Sequence, residues 1–228
     1  ATEMSRHDVI VKKMSSIQNL GAMDILCTDK TGTLTEDKVV LERHINVAGE
    51  TDNRVLRYAF LNSHFQTGLV NLIDQAIINA TGQEAPFDPQ LSVISSRYEK
   101  IDEIPFDFER RRMSVVVREK SNGRTQIVTK GALEEILSIC NAADYKGKVC
   151  PLTAQLRTKV IAEAARLGDE GLRVIAVAHK VQQMPEGSFS VHDEREMILI
   201  GYLAFLDPPK ASAADALARL KSDGVAIK

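Results

Sequence analysis

Apolar residues along this chain of 228 residues follow two different spacings, and each spacing predicts a different kind of element. Several sets of apolar residues share one face at the 3.6-residue period, which predicts amphipathic helices. One set is Val55, Leu56, Ala59 and Phe60, and a second is Leu69, Leu72, Ile73, Ala76, Ile77 and Ala80. We expect the second of these helices to stop at Gly82, because glycine commonly follows the last residue of a helix.

Four more segments fit the helical spacing. They are residues 12–20, residues 89–97, a face formed by Leu133, Ile136, Leu137 and Cys140, and residues 153–168, where Thr153 is a suitable N-cap. Short runs rich in β-branched residues predict strands at 9–11, 25–27, 39–41, 45–47, 98–104, 113–117, 127–129, 172–178 and 198–205. Ser121-Asn122-Gly123 marks a hairpin between two of these strands.

The order of the predicted elements divides the chain into three segments. Residues 1–36 and 206–228 read as parts of one α/β domain, since a helix containing Ala214, Leu217 and Leu220 is followed by a strand at 225–227. Residues 37–205 mix helices with hairpins and read as an α+β domain. We therefore predict an α+β domain inserted into an α/β domain, with the sequence Asp207-Pro208-Pro209 breaking the chain at the second junction.

Composition narrows the class of protein only a little. Hydrophobic residues make up 44% and charged residues 26%, which is ordinary for a globular protein, and the formal net charge of -2 gives no reason to expect a nucleic-acid partner. No apolar run approaches the roughly 20 residues of a membrane span, and no signal peptide opens the chain. Cys27, Cys140 and Cys150 are scattered, which favours free thiols in a reducing compartment.

The clearest chemistry lies in Cys27-Thr28-Asp29-Lys30-Thr31-Gly32-Thr33-Leu34-Thr35. Asp29 directly follows a run predicted to be a buried strand, and in open α/β sheets the carboxyl ends of strands are where ligands bind. A carboxylate in that place can attack a phosphoryl group and form an aspartyl-phosphate. Lys30 adds a positive charge beside it, and the small residues that follow let backbone amides approach an anion. The purely structural alternative is a strand end followed by a polar turn.

The seven residues Asp29 to Thr35, DKTGTLT, resemble the phosphorylation motif of the P-type ATPases. The motif also resembles that of the haloacid dehalogenase superfamily, whose phosphatases carry a second aspartate two residues after the nucleophile. Thr31 occupies that position here and has no carboxylate, and loss of a positioned acid–base group costs about 10²–10⁴ in rate. Two alternatives stay open, namely a soluble phosphohydrolase, against which Thr31 argues, and a non-catalytic ATP-binding module.

The resemblance implies a partial haloacid dehalogenase-like phosphorylation domain, with an inserted nucleotide-binding domain built on an antiparallel sheet flanked by helices. Within the phosphorylation domain it implies catalytic roles for Asp29, Lys30 and Thr31, with Asp29 and the Thr31 carbonyl in contact with Mg²⁺. Within residues 37–205 it implies an ATP pocket. The matching positions are Asp74, Phe106, Arg111, Met113, Lys130, Gly131 and Arg173.

Each pocket residue has a structural alternative. Phe106, matched to the aromatic ring that stacks on adenine, and Met113 are also suited to a core. Asp74, matched to an acidic residue that binds the adenine amino group, could face solvent from a helix. A lysine at a strand end, such as Lys130, is usually solvated, and Arg110 to Arg112 is the pattern of a solvated charge run. The absence of G-x-x-x-x-G-K-[ST] excludes a P-loop.

The branch of the family is indicated by segments outside the motif. Residues 18–26, 106–115 and 204–210 are similar to bacterial magnesium-transporting pumps, which implies ATP and Mg²⁺ as cofactors and a transported cation as partner. We expect a soluble, monomeric cytoplasmic fragment of a multi-pass protein of the inner membrane, with no nucleic-acid partner. The family's later Thr-Gly-Asp and Gly-Asp-Gly-x-x-Asn-Asp motifs do not occur in these 228 residues, so we expect the fragment to bind ATP without turnover.

Overall fold

The computed structural model describes residues 4, 6, 9–68, 71–182 and 189–228, and the chain divides into two compact units. The first unit consists of Ala1–Asp37 together with Pro208–Lys228, and the second unit is Lys38–Asp207. The chain therefore passes from one unit to the other twice, once after Asp37 and once after Asp207.

Helices and strands are numbered here in chain order. The helices are α1 (Ser15–Gly21), α2 (Asn53–Phe65), α3 (Leu72–Glu84), α4 (Pro89–Ser92), α5 (Ile94–Arg97), α6 (Leu133–Ile139), α7 (Ala154–Asp169) and α8 (Ala211–Ser222). The strands are β1 (Ile25–Leu26), β2 (Val40–Asn46), β3 (Tyr98–Asp107), β4 (Arg112–Glu119), β5 (Thr125–Ala132), β6 (Cys140–Tyr145), β7 (Lys148–Pro151), β8 (Arg173–Gln182), β9 (Met197–Leu206) and β10 (Ala226–Ile227). A π-helical turn spans Lys30–Leu34, and a 3₁₀ helix spans Val191–Asp193.

The first unit contains a two-stranded parallel sheet, in which Ile25 of β1 lies opposite Ala226 of β10. The predicted strand before the motif is therefore confirmed, but the prediction that it is buried is wrong. Ile25 is 51% exposed, since a sheet of two strands leaves most of its surface uncovered. The strand predicted at residues 9–11 does not form, and Ile10 there is 86% exposed.

The second unit is built on one eight-stranded sheet. Its strand order is β3-β4-β5-β8-β9-β6-β7, with β2 paired to β9 as well. Most pairs are antiparallel, while β6 and β9 run parallel. Because β6 pairs with the first residues of β9 and β2 with the later ones, both lie along one edge of that strand. Gly201 lies on β9 beside β2, where an added Cβ would come within 2.1 Å of the Ile45 carbonyl oxygen.

Helices cover the central sheet on both faces, so alternate residues of each strand enter two different cores. One core joins Val115, Val117 and Val128 to the apolar faces of α2 and α3 and to Leu91 and Ile94 of α4 and α5. The other joins Val116 and Ile127 to residues of α6 and α7, including Ile136, Leu137, Val160 and Leu167. Burial on both sides explains why these strands read as continuous apolar runs in the sequence.

Several predicted boundaries are wrong. Helix α3 continues through Gly82 to Glu84, the helix predicted at 89–97 breaks into α4 and α5, and the two strands predicted at 39–41 and 45–47 are one strand, β2. Leu69, part of the predicted face of α3, lies outside the described residues. The sequence analysis missed the β6–β7 hairpin, although its turn at Lys146 and Gly147 has the positive φ angles typical of a tight hairpin.

The cysteines agree with the expectation of free thiols. Cys27, Cys140 and Cys150 form no disulfide, and burial raises the pKa of the Cys140 thiol to about 12, which makes it a packing residue. Within the part of the chain that the structure describes, no helix has both the length and the apolar character required to cross a bilayer.

His179 of β8 is a buried histidine whose ring packs against Tyr58, with ring centroids 4.6 Å apart. Burial lowers the pKa of His179 to about 4. The charged groups that act on the ring come from several elements. Asp144 raises the pKa of the ring, and Arg54, Arg57 and Arg124 lower it. His179 is therefore neutral in the folded protein at neutral pH.

We predict that His179 makes the protein less stable in acid. The His179 ring binds a proton at a pKa near 6.5 in the unfolded chain and only near 4 in the folded chain. The free energy of unfolding therefore keeps its full value above about pH 6.5 and falls as the pH drops toward 4. Urea denaturation at several pH values should show a loss of about 3 kcal/mol that His179→Gln removes. His64→Gln, at an exposed histidine of α2, is the control. Equal acid sensitivity in the wild type and His179→Gln would contradict the assignment.

Candidate functional site

The loop that follows β1 presents Asp29 to solvent. Asp29 has extended backbone angles, φ −74° and ψ 146°, and the next residues form the single π-helical turn. Gly32 has φ +79°, a left-handed conformation that favours glycine. The hydroxyl of Thr35 accepts a hydrogen bond from the Gly32 amide at 3.1 Å, and Lys210 donates to the Gly32 carbonyl at 2.7 Å. The turn is therefore held by contacts within the first unit, and the carboxylate of Asp29 stands exposed at the end of a strand.

Lys30 is also exposed, and Thr31 lies within the same turn. In the part of the chain that the structure describes, no group of three or more His, Cys, Asp or Glu side chains could hold a metal ion.

In the second unit, Lys130 and Asp74 form a buried ion pair. The Lys130 side chain is 5% exposed and that of Asp74 is 0% exposed, and the lysine ammonium contacts Asp74 Oδ1 directly. Lys130 also donates to the Ser63 hydroxyl at 2.7 Å, while Gln66 donates to Asp74 Oδ2. Burial lowers the pKa of Lys130, and the nearby carboxylate opposes that shift.

The hypotheses that Asp74 faces solvent from a helix and that Lys130 is solvated at a strand end are therefore wrong. Asp74 lies in the first turn of helix α3, where its amide donates to the Asn71 side chain, and its own side chain faces the sheet instead of water. Asp74 is 0% exposed, and Gln66 and Lys130 each donate to one of its carboxylate oxygens, so a ligand can reach this carboxylate only if the groups that cover it move.

Met113 and Gly131 flank this ion pair on neighbouring strands. Met113 of β4 lies opposite Lys130 of β5 in the sheet register and is 8% exposed. A Cβ at Gly131 would lie 2.5 Å from the Arg111 carbonyl oxygen, so only glycine fits there. The close approach that Gly131 permits is therefore, in this structure, an approach by the chain's own backbone.

Phe106 lies near the end of β3 and is 51% exposed, which excludes a core role. Its ring meets that of Phe108 edge to face, with centroids 5.3 Å apart, and Phe108 is 89% exposed. Two exposed aromatic rings side by side form an apolar surface at this end of the sheet.

The three arginines between β3 and β4 have different surroundings. Arg110 and Arg112 both bind Glu194 Oε2, at 2.7 and 2.8 Å, and the Glu194 side chain is 0% exposed. Ser114 donates to the other Glu194 oxygen at 2.7 Å. The interpretation of a solvated charge run is therefore wrong for Arg110 and Arg112. Arg111, whose φ of +44° turns it outward, is half exposed and pairs with Glu135.

Glu194 is the residue that sequence reasoning missed. It follows a short 3₁₀ helix in a charged segment with no periodicity, so no local signal marks it as buried. Asn62 was missed as well, although a polar residue on the apolar face of α2 was a usable signal. Its side-chain amide donates to the carbonyls of Met113 and Val128, at 3.2 and 2.7 Å, and so ties α2 to β4 and β5.

Arg173 opens β8 and binds Asp207 Oδ2 at 2.8 Å, with 44% of the arginine side chain exposed. Taken together, the predicted pocket residues lie on the ends of β3, β4, β5 and β8 and on the start of α3. Direct contact joins Asp74 to Lys130, while Arg111 and Arg173 each bind a carboxylate outside the predicted set. Asp29, Lys30 and Thr31 belong to the first unit, and the pocket residues belong to the second.

Comparison with known proteins identifies the class of this fold and site. Residues 33–212 match the family model for the P-type ATPase, cytoplasmic domain N. That match covers most of the chain, and the chain therefore belongs to the P-type ATPase family.

Relatives place the chain within the family. It is 51% identical over its whole length to a magnesium-transporting ATPase, P-type 1, of Escherichia coli K12, and 50% identical to one of Salmonella typhimurium LT2. It is 28% identical, over 97% of its length, to calcium-transporting ATPase 1 of Bacillus cereus. The chain spans about a quarter of the length of these relatives, namely 25%, 25% and 26%.

We predict that the Asp74–Lys130 pair is needed for stability. Asp74→Leu or Lys130→Met leaves a buried charged group without its partner, which typically costs about 3–5 kcal/mol. The double variant Asp74→Leu with Lys130→Met should lose less than the sum of the two single variants, as measured by chemical denaturation. The control is Arg118→Met, which breaks a more exposed pair with Glu99 and should change stability by less than about 1 kcal/mol. Additive losses in the cycle would show that the two side chains do not stabilise each other.

Proposed function

We propose that this chain is the ATP-binding and phosphoryl-accepting cytoplasmic part of a P-type ATPase, which couples ATP hydrolysis through an aspartyl-phosphate to transport of a cation. The observation that carries the proposal is Asp29, an exposed carboxylate at the end of a parallel strand and the first residue of the motif DKTGTLT. Membership of the family and the names of the magnesium-transporting relatives support Mg²⁺ as the transported ion.

In the proposed reaction, the Asp29 carboxylate attacks the γ-phosphorus of ATP in line, the bond to the bridging oxygen breaks, and ADP leaves with that electron pair. Asp29 and the Thr31 backbone carbonyl are oxygen donors, the type that Mg²⁺ prefers, and Mg²⁺ is usually held by one or two carboxylates plus substrate phosphates. A bound Mg²⁺ neutralises charge on the transferred group. Lys30 adds a further positive charge beside Asp29.

The nucleotide is proposed to bind the second unit at the strand ends described above. Phe106 offers an exposed ring for stacking on adenine, Met113 on the neighbouring strand lines the pocket, and Arg111 and Arg173 present guanidinium groups to phosphates. Because Gly131 has no side chain, the backbone of Arg111 can lie against β5. The ion pair with Asp74 fixes the position of Lys130. The γ-phosphate is then carried to Asp29 by movement about the two crossings after Asp37 and Asp207.

The proposal extends to the domains and their location. The domain limits proposed are 1–36 and 206–228 for a haloacid dehalogenase-like phosphorylation domain and 37–205 for the nucleotide-binding domain. The proposed location is the cytoplasmic face of the inner membrane. The proposed partners are ATP and the transported cation, and the chain itself is proposed to be monomeric. The competing soluble phosphohydrolase needs an acid–base carboxylate where Thr31 stands, and so is less favoured.

Phe106→Ala tests the nucleotide pocket. Since the ring is half exposed, we expect the melting temperature to change little, while ATP binding measured by NMR titration weakens by about tenfold or more, because stacking of a base on an aromatic ring is worth about 1–3 kcal/mol. Phe87→Ala removes another exposed phenylalanine of the same unit and should leave ATP binding unchanged. A normal ATP affinity in Phe106→Ala would remove this residue from the site.

Asp29→Asn tests the division of labour between the units. The amide keeps the shape of the carboxylate but lacks its nucleophilic oxygen, so a complete pump that carries it should form no acid-stable phosphoenzyme from radiolabelled ATP. ATP affinity of the chain should stay within about twofold of the wild type, because the proposed adenine-binding residues belong to the other unit. Asp24→Asn, at an exposed aspartate just before β1, is the matched control. Loss of ATP binding in Asp29→Asn would contradict the proposed two-domain arrangement.

A further inference from the structure

A cavity of about 260 Å³ lies in the second unit at the ends of β4, β5 and β8 that are opposite to the proposed nucleotide pocket. It is lined by Arg57, Tyr58, Gln90, Ile94, Arg97 and Tyr98 from the helical side and β3, and by Glu119, Arg124, Gln126, His179 and Val181 from the strands. On β5, Gln126 of this cavity is four residues from Lys130, a separation of about 13 Å along an extended strand. The two sites are therefore separate.

Positive charge dominates the lining. Arg57, Arg97 and Arg124 contribute three guanidinium groups, and Glu119 is the acidic residue among the lining side chains. Glu119 accepts a hydrogen bond from Asn122 at 2.8 Å, and the partner of Arg57 is the uncharged amide of Gln90. Across the described ranges of the chain, none of the three arginines has a carboxylate within ion-pair distance.

Two buried polar groups at this cavity have no hydrogen-bond partner among the described residues. His179 is 6% exposed, and neither its Nδ1 nor its Nε2 is bonded. The Nε of Arg57 is likewise buried and unbonded. Buried polar atoms are nearly always hydrogen-bonded in native proteins, and an unbonded one is destabilising. Unbonded nitrogen atoms that line one cavity, together with guanidinium groups that lack anionic partners, are what a site for a bound anion provides.

We propose that this cavity binds a small molecule that carries a phosphate group. Guanidinium groups bind phosphate through paired N–H donors, and three of them suit the several oxygens of one phosphate better than a single carboxylate. The rings of Tyr58 and Tyr98 and the side chains of Ile94 and Val181 provide an apolar wall for an organic group attached to the phosphate. The site is independent of the proposed function, because it shares no residue with the nucleotide pocket or with the Asp29 loop.

Binding also predicts a change in the titration of His179. Burial and the neighbouring arginines keep the ring neutral in the folded protein. A phosphate dianion in the cavity favours the protonated ring, so the pKa of His179 should rise when the cavity is filled. A purely structural cavity would leave this pKa unchanged.

The test is an NMR titration of the whole chain with phenyl phosphate and with inorganic phosphate in a chloride buffer, observed at the ring signals of His179. These signals are assigned by their loss in His179→Gln. We expect a saturable shift with both probes, a rise in the pKa of His179, and tighter binding of phenyl phosphate than of inorganic phosphate. Benzoate, with the same ring and a carboxylate, should bind more weakly by about tenfold or more.

Arg97→Gln and Arg124→Gln should each weaken the binding of phenyl phosphate by about tenfold. Both arginines are exposed, so these variants should fold normally. Arg166→Gln is the matched control, since it removes one guanidinium from the exposed face of α7, where Arg166 pairs with Glu163 and Glu170. The proposal is overturned if His179 does not respond to phosphate, if benzoate binds as tightly as phenyl phosphate, or if Arg166→Gln weakens binding as much as Arg97→Gln.

Discussion

Burial of the central sheet on both faces is the constraint on which the rest of the second unit depends. Strands β4, β5, β8 and β9 have helices on either side, so a polar side chain on them must find a partner inside the protein. Lys130 forms an ion pair with Asp74, and the Ser114 hydroxyl is hydrogen-bonded to Thr129 and Glu194. His179 has no hydrogen-bond partner among the described residues, and burial lowers the pKa of its ring.

The same constraint explains where the candidate nucleotide pocket lies. At the ends of β3 and β4, exposure changes within a few residues. Met113 is 8% exposed, while Phe106 on the neighbouring strand is 51% exposed. Beneath the exposed rings, the ion pair of Lys130 and Asp74 and the bonds of Glu194 to Arg110 and Arg112 hold the strand ends in place. The exposed residues of the proposed pocket are thus carried by strand ends that a buried polar network holds in place.

Sequence alone predicted most of the elements of this protein and singled out Asp29 as its candidate nucleophile. Helix α2 and helix α7 follow from apolar residues at the helical period, and the β4–β5 hairpin follows from Asn122-Gly123 between two β-branched runs. Local spacing is sufficient for these features, because it specifies which face of an element is apolar. Asp29 was singled out differently, by a short apolar run followed by a loop that matches the motif DKTGTLT, and its role as a nucleophile stays a prediction.

Only the tertiary structure decided which polar residues are buried. Asp74 and Lys130 are 56 residues apart in the chain, and Glu194 is more than 80 residues from Arg110 and Arg112, so no local pattern links them. The cavity beside His179 also brings together residues from α2, α5, β4, β5 and β8. The pairing of buried charges depends on which distant segments of the chain pack against each other. A local sequence pattern does not show which segments these are.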